Sequence, residues 1–361
     1  MNRPGILNIG GDTPKRRGYD RGRQARAGIA RSWAVYDRLF TTLAAQHRRT
    51  IDVPELAERS VAATRAWAPA LVEEMEGVAE GAGVPLWTVA ALNARTEILA
   101  EAGAPRTGEC STVVRVGAPT AGGQCWDWHE ELADAWHIQT VTGGARSFAG
   151  ITEHGILAKI GVNDAGVGVL FNILGHRDDG AGGVPVHLVA RQVLGEAGSF
   201  EQALALLADA PVSASTVLTV VTADRAASVE LSAAGSAVVE PGAEGWLVRT
   251  NHFLAPGLAA GELRGRREPE TYERHRLLSR RVLGRGAPAG PGELADLLTA
   301  HGDEDGAQVC CHAPDGGDLG TRWATLATVA LDATERHLTV HKGSPCTAGP
   351  TTWTTTRAPV R

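Results

Sequence analysis

The spacing of apolar residues divides the chain near residue 110. Before that point, apolar residues recur three or four positions apart, which is the period of one helix face. This spacing predicts helices over residues 22–48, from residue 52, over 68–81 and over 86–99. Asp52 is the expected N-cap of the second helix, because Pro54 follows it at a position that a helix start tolerates.

After residue 110, short β-branched runs alternate with Gly-Gly and Asn-Asp turns, as antiparallel strands require. The predicted strands include residues 111–116, 137–141, 147–152, 157–162, 167–173, 216–221, 227–231, 236–239, 245–248, 325–331 and 337–341, and Asp127 lies on the predicted strand that follows 111–116. Helices are predicted over 185–194, 199–207, 272–283 and 292–300, a loop over 254–269 and a Thr- and Pro-rich tail over 347–361. This order indicates a layered α+β fold, and the pattern leaves open whether there are one or two sheets.

Composition and charge narrow the range of partners. The formal net charge is −6 and no long Lys/Arg block occurs, so no nucleic-acid partner is expected. No stretch approaches the ~20 apolar residues of a membrane span, and the first residues lack the apolar segment of a signal peptide. We therefore expect a cytoplasmic protein without a membrane partner. No phosphate-loop spacing occurs, and no cofactor is expected.

The five cysteines do not form the pattern of a disulfide scaffold, because their number is odd and the chain is long. Cys310, Cys311 and His312 are adjacent, but adjacent ligands rarely fit one tetrahedral site, so no metal is expected. Cys110 stands where helical periodicity gives way to strands. From spacing alone, the simplest interpretation of Cys110 is a small buried apolar residue.

Several short motifs spread over nearly the whole chain resemble one enzyme family. They are Arg17-Gly18-Tyr19-Asp20-Arg21-Gly22, residues 75–82, residues 92–98, Gly108-Glu109-Cys110-Ser111-Thr112, Gly123-Gln124-Cys125-Trp126-Asp127-Trp128, Thr250-Asn251-His252-Phe253-Leu254, Ser279-Arg280-Arg281, Thr325-Leu326 and Gly343-Ser344-Pro345-Cys346. Together they resemble the acyl-coenzyme A:6-aminopenicillanic acid acyltransferase family, also called the isopenicillin N acyltransferase family. The resemblance implies an N-terminal-nucleophile hydrolase fold, a four-layer αββα sandwich, here with a helical N-terminal segment.

The resemblance also implies that the precursor cleaves itself between Glu109 and Cys110. Residues 1–109 would then be a mostly helical propeptide or α chain, and residues 110–361 the catalytic β chain. Both would form one αββα domain and stay associated. Cleavage frees the α-amine of Cys110, whose reference pKa of about 7.7–8.0 suits a general base for the thiol on the same residue.

Two further site residues follow from the resemblance. Asp127 would hold the α-amine of Cys110, and a hairpin could bring the two together, since Asp127 lies 17 residues after Cys110. The alternative is a surface carboxylate, which the flanking Trp126 and Trp128 disfavour because tryptophans bury large apolar areas. Asn251 would donate to the oxyanion of acyl transfer. The alternative for Asn251 is a turn-capping residue after a strand.

The contacts with substrate are less defined. Relatives often carry Cys-Arg-His where this chain has Cys310-Cys311-His312, so we take Arg322 as the candidate charged group, with a surface arginine as the alternative. Trp126 is a second candidate substrate contact. Cys125, two residues before Asp127 and on the same strand face, either lines the pocket or packs.

The expected function is an autoproteolytically activated cysteine amidohydrolase or acyltransferase. It would act on an amide or thioester bond of a small molecule, with coenzyme A or a carrier-protein thioester as a candidate acyl donor. The Gly- and Ala-rich, Lys-poor composition fits a high-GC bacterial source, in which tailoring of secondary metabolites is a plausible setting. The alternatives are an uncleaved, non-catalytic αββα binding protein and a dormant precursor.

Overall fold

The computed structural model describes residues 4–103 and 110–360. The helices are α1 Pro14–Gln46, α2 Val53–Trp67, α3 Pro69–Ala82, α4 Leu86–Asn93, α5 Arg95–Glu101, α6 Val186–Glu196, α7 Phe200–Asp209, α8 Pro256–Ala259, α9 Arg264–Arg267, α10 Glu270–Val282, α11 Pro291–Leu298 and α12 Gly302–Asp305. The strands are β1 Ile6–Ile9, β2 Ser111–Arg115, β3 Ala121–His129, β4 Trp136–Val141, β5 Phe148–Glu153, β6 Ile160–Asn163, β7 Gly168–Ile173, β8 Thr216–Val221, β9 Ala226–Ser232, β10 Gly235–Val239, β11 Trp246–Arg249, β12 Trp323–Asp332, β13 His337–Lys342 and β14 Trp353–Arg357.

The strands form two sheets, which settles the alternative that the sequence pattern left open. The first sheet has the order β1-β4-β5-β6-β7-β8-β9-β10 and the second β11-β2-β3-β12-β13-β14. β1 runs parallel to β4, whereas the other pairs within both sheets are antiparallel. Antiparallel pairing agrees with the short turns between successive strands.

The two sheets pack face to face and each carries helices on its other face. α6 and α7 lie on the first sheet, against β6–β9, and α10 and α11 lie on the second, against β2, β3, β11 and β12. Contacts between β2 and β7 and between β13 and β5 join the sheets. These contacts give a four-layer αββα sandwich, and they confirm the expected fold class. The second sheet carries the candidate nucleophile, so this layering positions the site.

α1 and α3 cross so closely that glycine is required at the contact. A Cβ atom at Gly18 would lie 1.9 Å from the carbonyl oxygen of Glu74, and one at Gly22 would lie 2.2 Å from that of Val78. On α3, a Cβ atom at Gly77 would lie 2.0 Å from the carbonyl oxygen of Lys15. The glycine-containing segments near residues 18 and 77 are therefore the two sides of one helix–helix contact.

The predicted N-cap of α2 is confirmed, because the Asp52 side chain accepts a hydrogen bond from Glu55 N at 3.0 Å. Other boundaries differ from prediction. α1 begins at Pro14 instead of near residue 22, because Thr13 caps it and accepts from Arg16 N. The predicted loop over 254–269 contains the short helices α8 and α9.

Two strands were not predicted at the ends of the chain. β1 is a four-residue edge strand, shorter than the runs that periodicity detects. β14 lies in the segment that was interpreted as a tail, where three successive threonines supply β-branched residues that suit an edge strand beside β13. Both strands extend the sheets at their margins and leave the centre as predicted.

Residues from both sides of position 110 share one buried core. Trp128 of β3 donates its indole N–H to the hydroxyl of Tyr36 on α1 at 2.7 Å, and Arg95 of α5 pairs with Glu153 of β5 at 2.7 Å. Arg95 and Glu153 are each 0% exposed. Across the described ranges, no helix combines the length and apolarity that crossing a bilayer requires.

Candidate active site

The β2–β3 hairpin brings Cys110 and Asp127 together, as the spacing of 17 residues predicted. β2 pairs antiparallel with β3, with Ser111 opposite Cys125. The thiol of Cys110 lies 3.8 Å from the backbone carbonyl oxygen of Asp127 and donates to it. Cys110 is 5% exposed and Asp127 1% exposed. The surface-carboxylate alternative for Asp127 is therefore wrong, because β3 is the third strand of its six-stranded sheet and is buried along its whole length.

The carboxyl of Asp127 is buried without full compensation. Its Oδ1 atom has no hydrogen-bond partner among the described residues. Burial raises the pKa of Asp127 to about 8, and a hydrogen bond from Thr325 on the neighbouring strand β12 opposes this only in part. An unpartnered buried oxygen of this kind is a place where a hydrogen-bond donor or a cation would be strongly favoured.

The thiol of Cys110 is held in its protonated form. Burial raises the pKa of Cys110 to about 11, and the nearby Asp127 carboxylate adds to this effect. The hydrogen bond to the Asp127 backbone and the positive charges of Lys159 and Arg264 oppose it. A thiol in this state needs a base or an added positive charge before it can act as a nucleophile.

Side chains from two other layers fix the carbonyl group of Cys110. Asn172 of β7 donates to this oxygen at 2.9 Å, and Arg274 of α10 donates to it at 3.3 Å. Thr112 donates to the Asn172 side-chain oxygen at 2.8 Å, which leaves the Asn172 amino group facing Cys110. Arg274 also donates to Ser111 Oγ at 2.8 Å. The start of β2 is thus held by hydrogen bonds from the other sheet, through Asn172, and from the outer helix layer, through Arg274.

Asn251 lies beside the same guanidinium. It follows β11, is 0% exposed, and accepts from Arg274 Nη2 at 3.3 Å through its side-chain oxygen. Its amino group donates to the carbonyl oxygen of Ile173 at 2.8 Å. His252 instead packs against Tyr272, with ring centroids 4.4 Å apart. The neighbouring side chains Asn251 and His252 therefore have different surroundings, and Arg274 links Asn251 to Cys110.

Arg274 is the site residue that sequence reasoning missed. It is 1% exposed, and burial lowers its pKa to about 9. The signal was present in the helix period, because Arg274 shares the buried face of α10 with Thr271, Leu277 and Leu278. An arginine on an otherwise apolar helix face indicates a buried polar partner, and here the partners are Cys110, Ser111 and Asn251.

Arg322, which we had taken as the charged group of the site, lies elsewhere. Its guanidinium pairs with Glu130 at 3.2 Å and its side chain is 31% exposed. The backbone of Glu130 also donates to the Arg322 carbonyl oxygen at 2.9 Å. The guanidinium that contacts Cys110 is that of Arg274, because α10 packs on β2 and β11 at this part of the second sheet.

Trp126 and Cys125 pack in different layers. Trp126 is 1% exposed and meets Trp136 edge to face between the sheets, with centroids 5.9 Å apart. Cys125 is 0% exposed and lies in the apolar cluster under α10 and α11, with Leu278 and Leu298. Burial thus selects the packing alternative for Cys125, and it places Trp126 in the core between the two sheets.

Lys159 is a second buried cation near the thiol that sequence reasoning missed. Its Nζ atom lies 2.8 Å from Glu153 Oε1 and 4.2 Å from the centroid of the Trp126 ring. Burial lowers the pKa of Lys159 to about 8, and Arg95 lowers it further while Glu153 opposes both. Lys159 and Arg95 in turn hold the pKa of Glu153 below its usual range despite burial.

A surface cavity of about 510 Å³ has Arg264 in its wall. Arg264 contributes to this cavity and also acts electrostatically on Cys110. The cavity wall is rich in cationic and polar side chains, namely His47, Arg49, Glu101, His176, Arg177, Asp179, Arg264, Arg267 and Glu268. Glu109, the residue on the other side of the predicted scissile bond, lies outside the described residues.

The sequence matches known proteins over most of its length. The chain is 28% identical over 336 residues to the acyl-coenzyme A:6-aminopenicillanic-acid-acyltransferase 40 kDa form of Emericella nidulans, which covers 92% of this chain and 91% of that protein. Two solved structures align with low identity. A Caenorhabditis elegans N-acylethanolamine-hydrolyzing acid amidase ortholog has a TM-score of 0.45 at 12% identity, covering 62% of this chain and 92% of that one. Penicillin V acylase from Agrobacterium tumefaciens has a TM-score of 0.40 at 13% identity, covering 64% and 83%.

The family assignment rests on a match that spans more than half of the chain. Residues 118–345 match the model of the family described as acyl-coenzyme A:6-aminopenicillanic acid acyl-transferase. This segment contains Asp127, Asn251 and Arg274, and it begins just after β2. The match identifies an enzyme of the acyl-transfer class. The chain belongs to the acyl-coenzyme A:6-aminopenicillanic acid acyl-transferase family.

Proposed function

We propose that the chain is an autoproteolytic cysteine amidohydrolase or acyltransferase that forms its acyl-enzyme on Cys110. The observation that carries the proposal is the buried contact between the Cys110 thiol and Asp127, whose Oδ1 atom lacks a partner among the described residues. A cationic α-amine at Cys110 would supply that partner. The family match supports the reaction class, acyl transfer or amide hydrolysis.

Cleavage before Cys110 explains how this thiol becomes reactive. With a pKa of about 11, only about one thiol in 10⁴ is ionised at pH 7. An ammonium group at the same residue would lower the pKa of both the thiol and Asp127, because an opposite charge favours the ionised form. The freed amine, with a reference pKa near 7.7–8.0, would also serve as the general base for the thiol.

Self-cleavage starts with attack of the Cys110 sulfur on the carbonyl carbon of Glu109. The carbon–nitrogen bond between the two residues breaks as the thioester forms, and the thiol proton passes to the departing nitrogen. Water then hydrolyses the thioester, which yields the carboxylate of Glu109 and a free thiol beside the new α-amine. Residues 1–109 and 110–361 remain associated through the shared core, including the Arg95–Glu153 pair.

The mature enzyme repeats this attack on its substrate. The α-amine takes the thiol proton, the sulfur adds to an amide or thioester carbonyl, and the oxyanion forms near Asn251. One oxyanion donor contributes roughly 2.7–4 kcal/mol to such a step. The α-ammonium then returns the proton to the leaving amine or thiol, and water or an acceptor amine releases the acyl group from Cys110.

Three residues are assigned supporting roles. Asp127 positions the α-amine and balances its charge. Arg274 orients both Cys110 and Asn251 through hydrogen bonds at 3.3 Å to each. Lys159 stabilises the thiolate electrostatically, since its charge already lowers the pKa of Cys110. Because Arg274 and Lys159 contact neither scissile atoms nor substrate in this arrangement, they are positioning residues.

The substrate is a small molecule with an amide or thioester bond. The Emericella relative is named as an acyl-coenzyme A acyltransferase, which supports an acyl donor such as coenzyme A or a carrier-protein thioester. The cavity near Arg264 includes Arg49, Arg177 and Arg267 in its wall. Guanidinium groups of this kind suit a donor that carries phosphate.

The primary test is the intact mass of the purified chain under denaturing conditions. We expect two fragments that together account for 37.8 kDa plus one water, with the larger beginning at Cys110. Cys110→Ala should remain uncut. Cys125→Ala, which alters another buried cysteine of the same sheet, is the matched control and should be cut. A single uncut species after long incubation of the unaltered chain would favour a dormant precursor or a binding protein.

A second assay separates hydrolysis from transfer. The cleaved enzyme is incubated with a panel of acyl amides and acyl thioesters, with and without added amine acceptors. Free acid as the main product in both conditions indicates a hydrolase, whereas an acyl-amine product that grows with acceptor concentration indicates a transferase. If neither product forms with cleaved protein, and ligands bind without turnover, the non-catalytic alternative is favoured.

A further inference from the structure

Four side chains with metal-binding donor atoms converge outside the site described above. They come from three separate segments: His301 follows α11, Cys310 and His312 precede β12, and Cys346 lies in the helical turn Pro345–Thr347 after β13. One donor atom from each residue lies within 4.8 Å of every other. Cys310 is buried, His301 is half-buried, and His312 and Cys346 are exposed.

Two donor–donor distances within this Cys₂His₂ cluster match edges of a zinc tetrahedron, and the remaining pairs lie within 4.8 Å. Zinc–nitrogen bonds of about 2.0–2.1 Å and zinc–sulfur bonds of about 2.3 Å imply N···N edges near ~3.3 Å and S···N edges near ~3.5 Å. The Nε2 atoms of His301 and His312 are 3.3 Å apart, and Cys346 Sγ lies 3.5 Å from His312 Nε2. A hydrogen bond between the two imidazoles would explain the first distance. It would not explain why the thiols of Cys310 and Cys346 both lie within 4.8 Å of the imidazole nitrogens.

The sequence argument against a metal considered only the adjacent residues Cys310, Cys311 and His312. This is not the set of side chains that converges in the structure. Cys311 is not part of the cluster: its backbone N–H donates to Thr325 Oγ1 at 3.0 Å, and its carbonyl oxygen accepts from Thr325 N at 2.9 Å. Cys310 and His312 flank Cys311 and share the cluster. The other two donors come from positions nine residues earlier and 36 residues later than Cys310, which no local spacing relates.

We propose that His301, Cys310, His312 and Cys346 bind one Zn²⁺ ion in a tetrahedral site. Two thiolates would balance the charge of the ion, and two imidazoles would complete a set typical of structural zinc. Four protein ligands leave no open position for water or substrate. The site is therefore structural, and it does not take part in acyl chemistry.

The position of the site indicates which segments of the chain the ion would hold together. It would tie the connection between α11 and β12 to the turn after β13. Cys311, in the middle of this connection, is hydrogen-bonded to Thr325, which pairs with Asp127 across β12 and β3. Ser344, beside the turn, also donates to the carbonyl oxygen of Cys311 at 3.2 Å. The ion would thus brace the backbone that faces Asp127.

The test uses the full chain and two metals. Reduced protein is purified without added chelator and its zinc content is measured by elemental analysis. Metal-free protein is then titrated with Co²⁺, whose tetrahedral complexes with thiolates have intense visible absorption and a sulfur-to-cobalt charge-transfer band. We expect about one equivalent of either metal per chain, as for a closed Cys₂His₂ site, and a lower thermal unfolding temperature after chelation.

Two ligand variants and one control make the result specific. Cys346→Ser and His312→Ala alter exposed residues and should abolish the cobalt spectrum while the chain still folds. His47→Ala, which removes another exposed histidine, should bind Co²⁺ like the unaltered chain. Metal content far below one equivalent with no cobalt spectrum would overturn the proposal. Equal cobalt binding by all variants, or a Cys310–Cys346 disulfide in freshly purified protein, would also overturn it.

Discussion

The ionisation of Asp127 gives a quantitative prediction for the uncut chain. The perturbation is Asp127→Asn, which keeps the side-chain shape and removes the charge, made in a Cys110→Ala background to prevent self-cleavage. Burial raises the pKa of Asp127 to about 8, against 3.8 for an ordinary aspartate. The folded chain therefore holds a proton on Asp127 between about pH 4 and pH 8, whereas the unfolded chain does not.

The sign and size of the expected change in stability follow from proton linkage. Because the folded state binds the extra proton, the carboxyl stabilises the fold less as the pH rises through this window. The loss is about 1.4 kcal/mol per pH unit and roughly 6 kcal/mol in total by pH 8. Asparagine has no such dependence. The stability of Asp127→Asn relative to its parent should therefore increase from pH 5 to pH 8 and level off above pH 8.

Urea denaturation of both proteins at pH 5, 6, 7, 8 and 9 measures this difference, and comparing the two chains cancels the titration of all other groups. Asp37→Asn, which removes an exposed carboxylate of α1, is the control in the same background. A relative stability that stays constant from pH 5 to pH 9 would refute the reasoning, because Asp127 would then be ionised throughout. In the cleaved enzyme the same substitution should instead abolish turnover, since the α-amine loses its counter-charge.

Three further predictions test packing and positioning. Gly22→Ala should destabilise the fold by roughly 1–3 kcal/mol, because its Cβ would meet Val78 O at 2.2 Å. Gly292→Ala is the control and should leave the stability unchanged, because no atom lies within 4 Å of a Cβ at that position. Urea denaturation of both variants measures the two changes. Arg274→Lys should slow cleavage or turnover about tenfold to a hundredfold, because lysine cannot form the forked hydrogen bonds of the guanidinium. Unchanged rates would show that Arg274 does not position the site residues. Glu153→Gln should cost roughly 3–5 kcal/mol by leaving buried cations unpaired, and equal urea midpoints would contradict this.

Local periodicity was sufficient to predict most of the elements. The helical segments before residue 110 and the antiparallel strands after it were predicted because helix faces and strand pairs leave repeats of 3.6 and 2 in the sequence. Asp52 as an N-cap was confirmed because capping depends on residues three positions apart. Among the elements that were missed, β1 and β14 are short edge strands and α8 and α9 are single-turn helices, and each is too brief to carry a period.

The contact of Cys110 with Asp127 was also predictable, since a hairpin links nearby positions. The family motifs indicated which cysteine and which carboxyl to compare, and β2–β3 pairing brings them together. The sequence therefore indicated the fold class and the family, and it singled out Cys110 and Asp127, which lie in contact. Their catalytic roles stay proposals until the mass and activity assays are done.

Tertiary structure alone decided the surroundings of Cys110. Asn172 lies on the opposite sheet and Arg274 on a helix of the outer layer, so their convergence on the Cys110 carbonyl depends on the stacking of whole layers. The meeting of His301 with Cys346 has the same origin, because 45 residues and several turns separate them. Local patterns record the period of one element. The packing of elements depends on the sum of many weak contacts across the core, and no short stretch of sequence contains that sum.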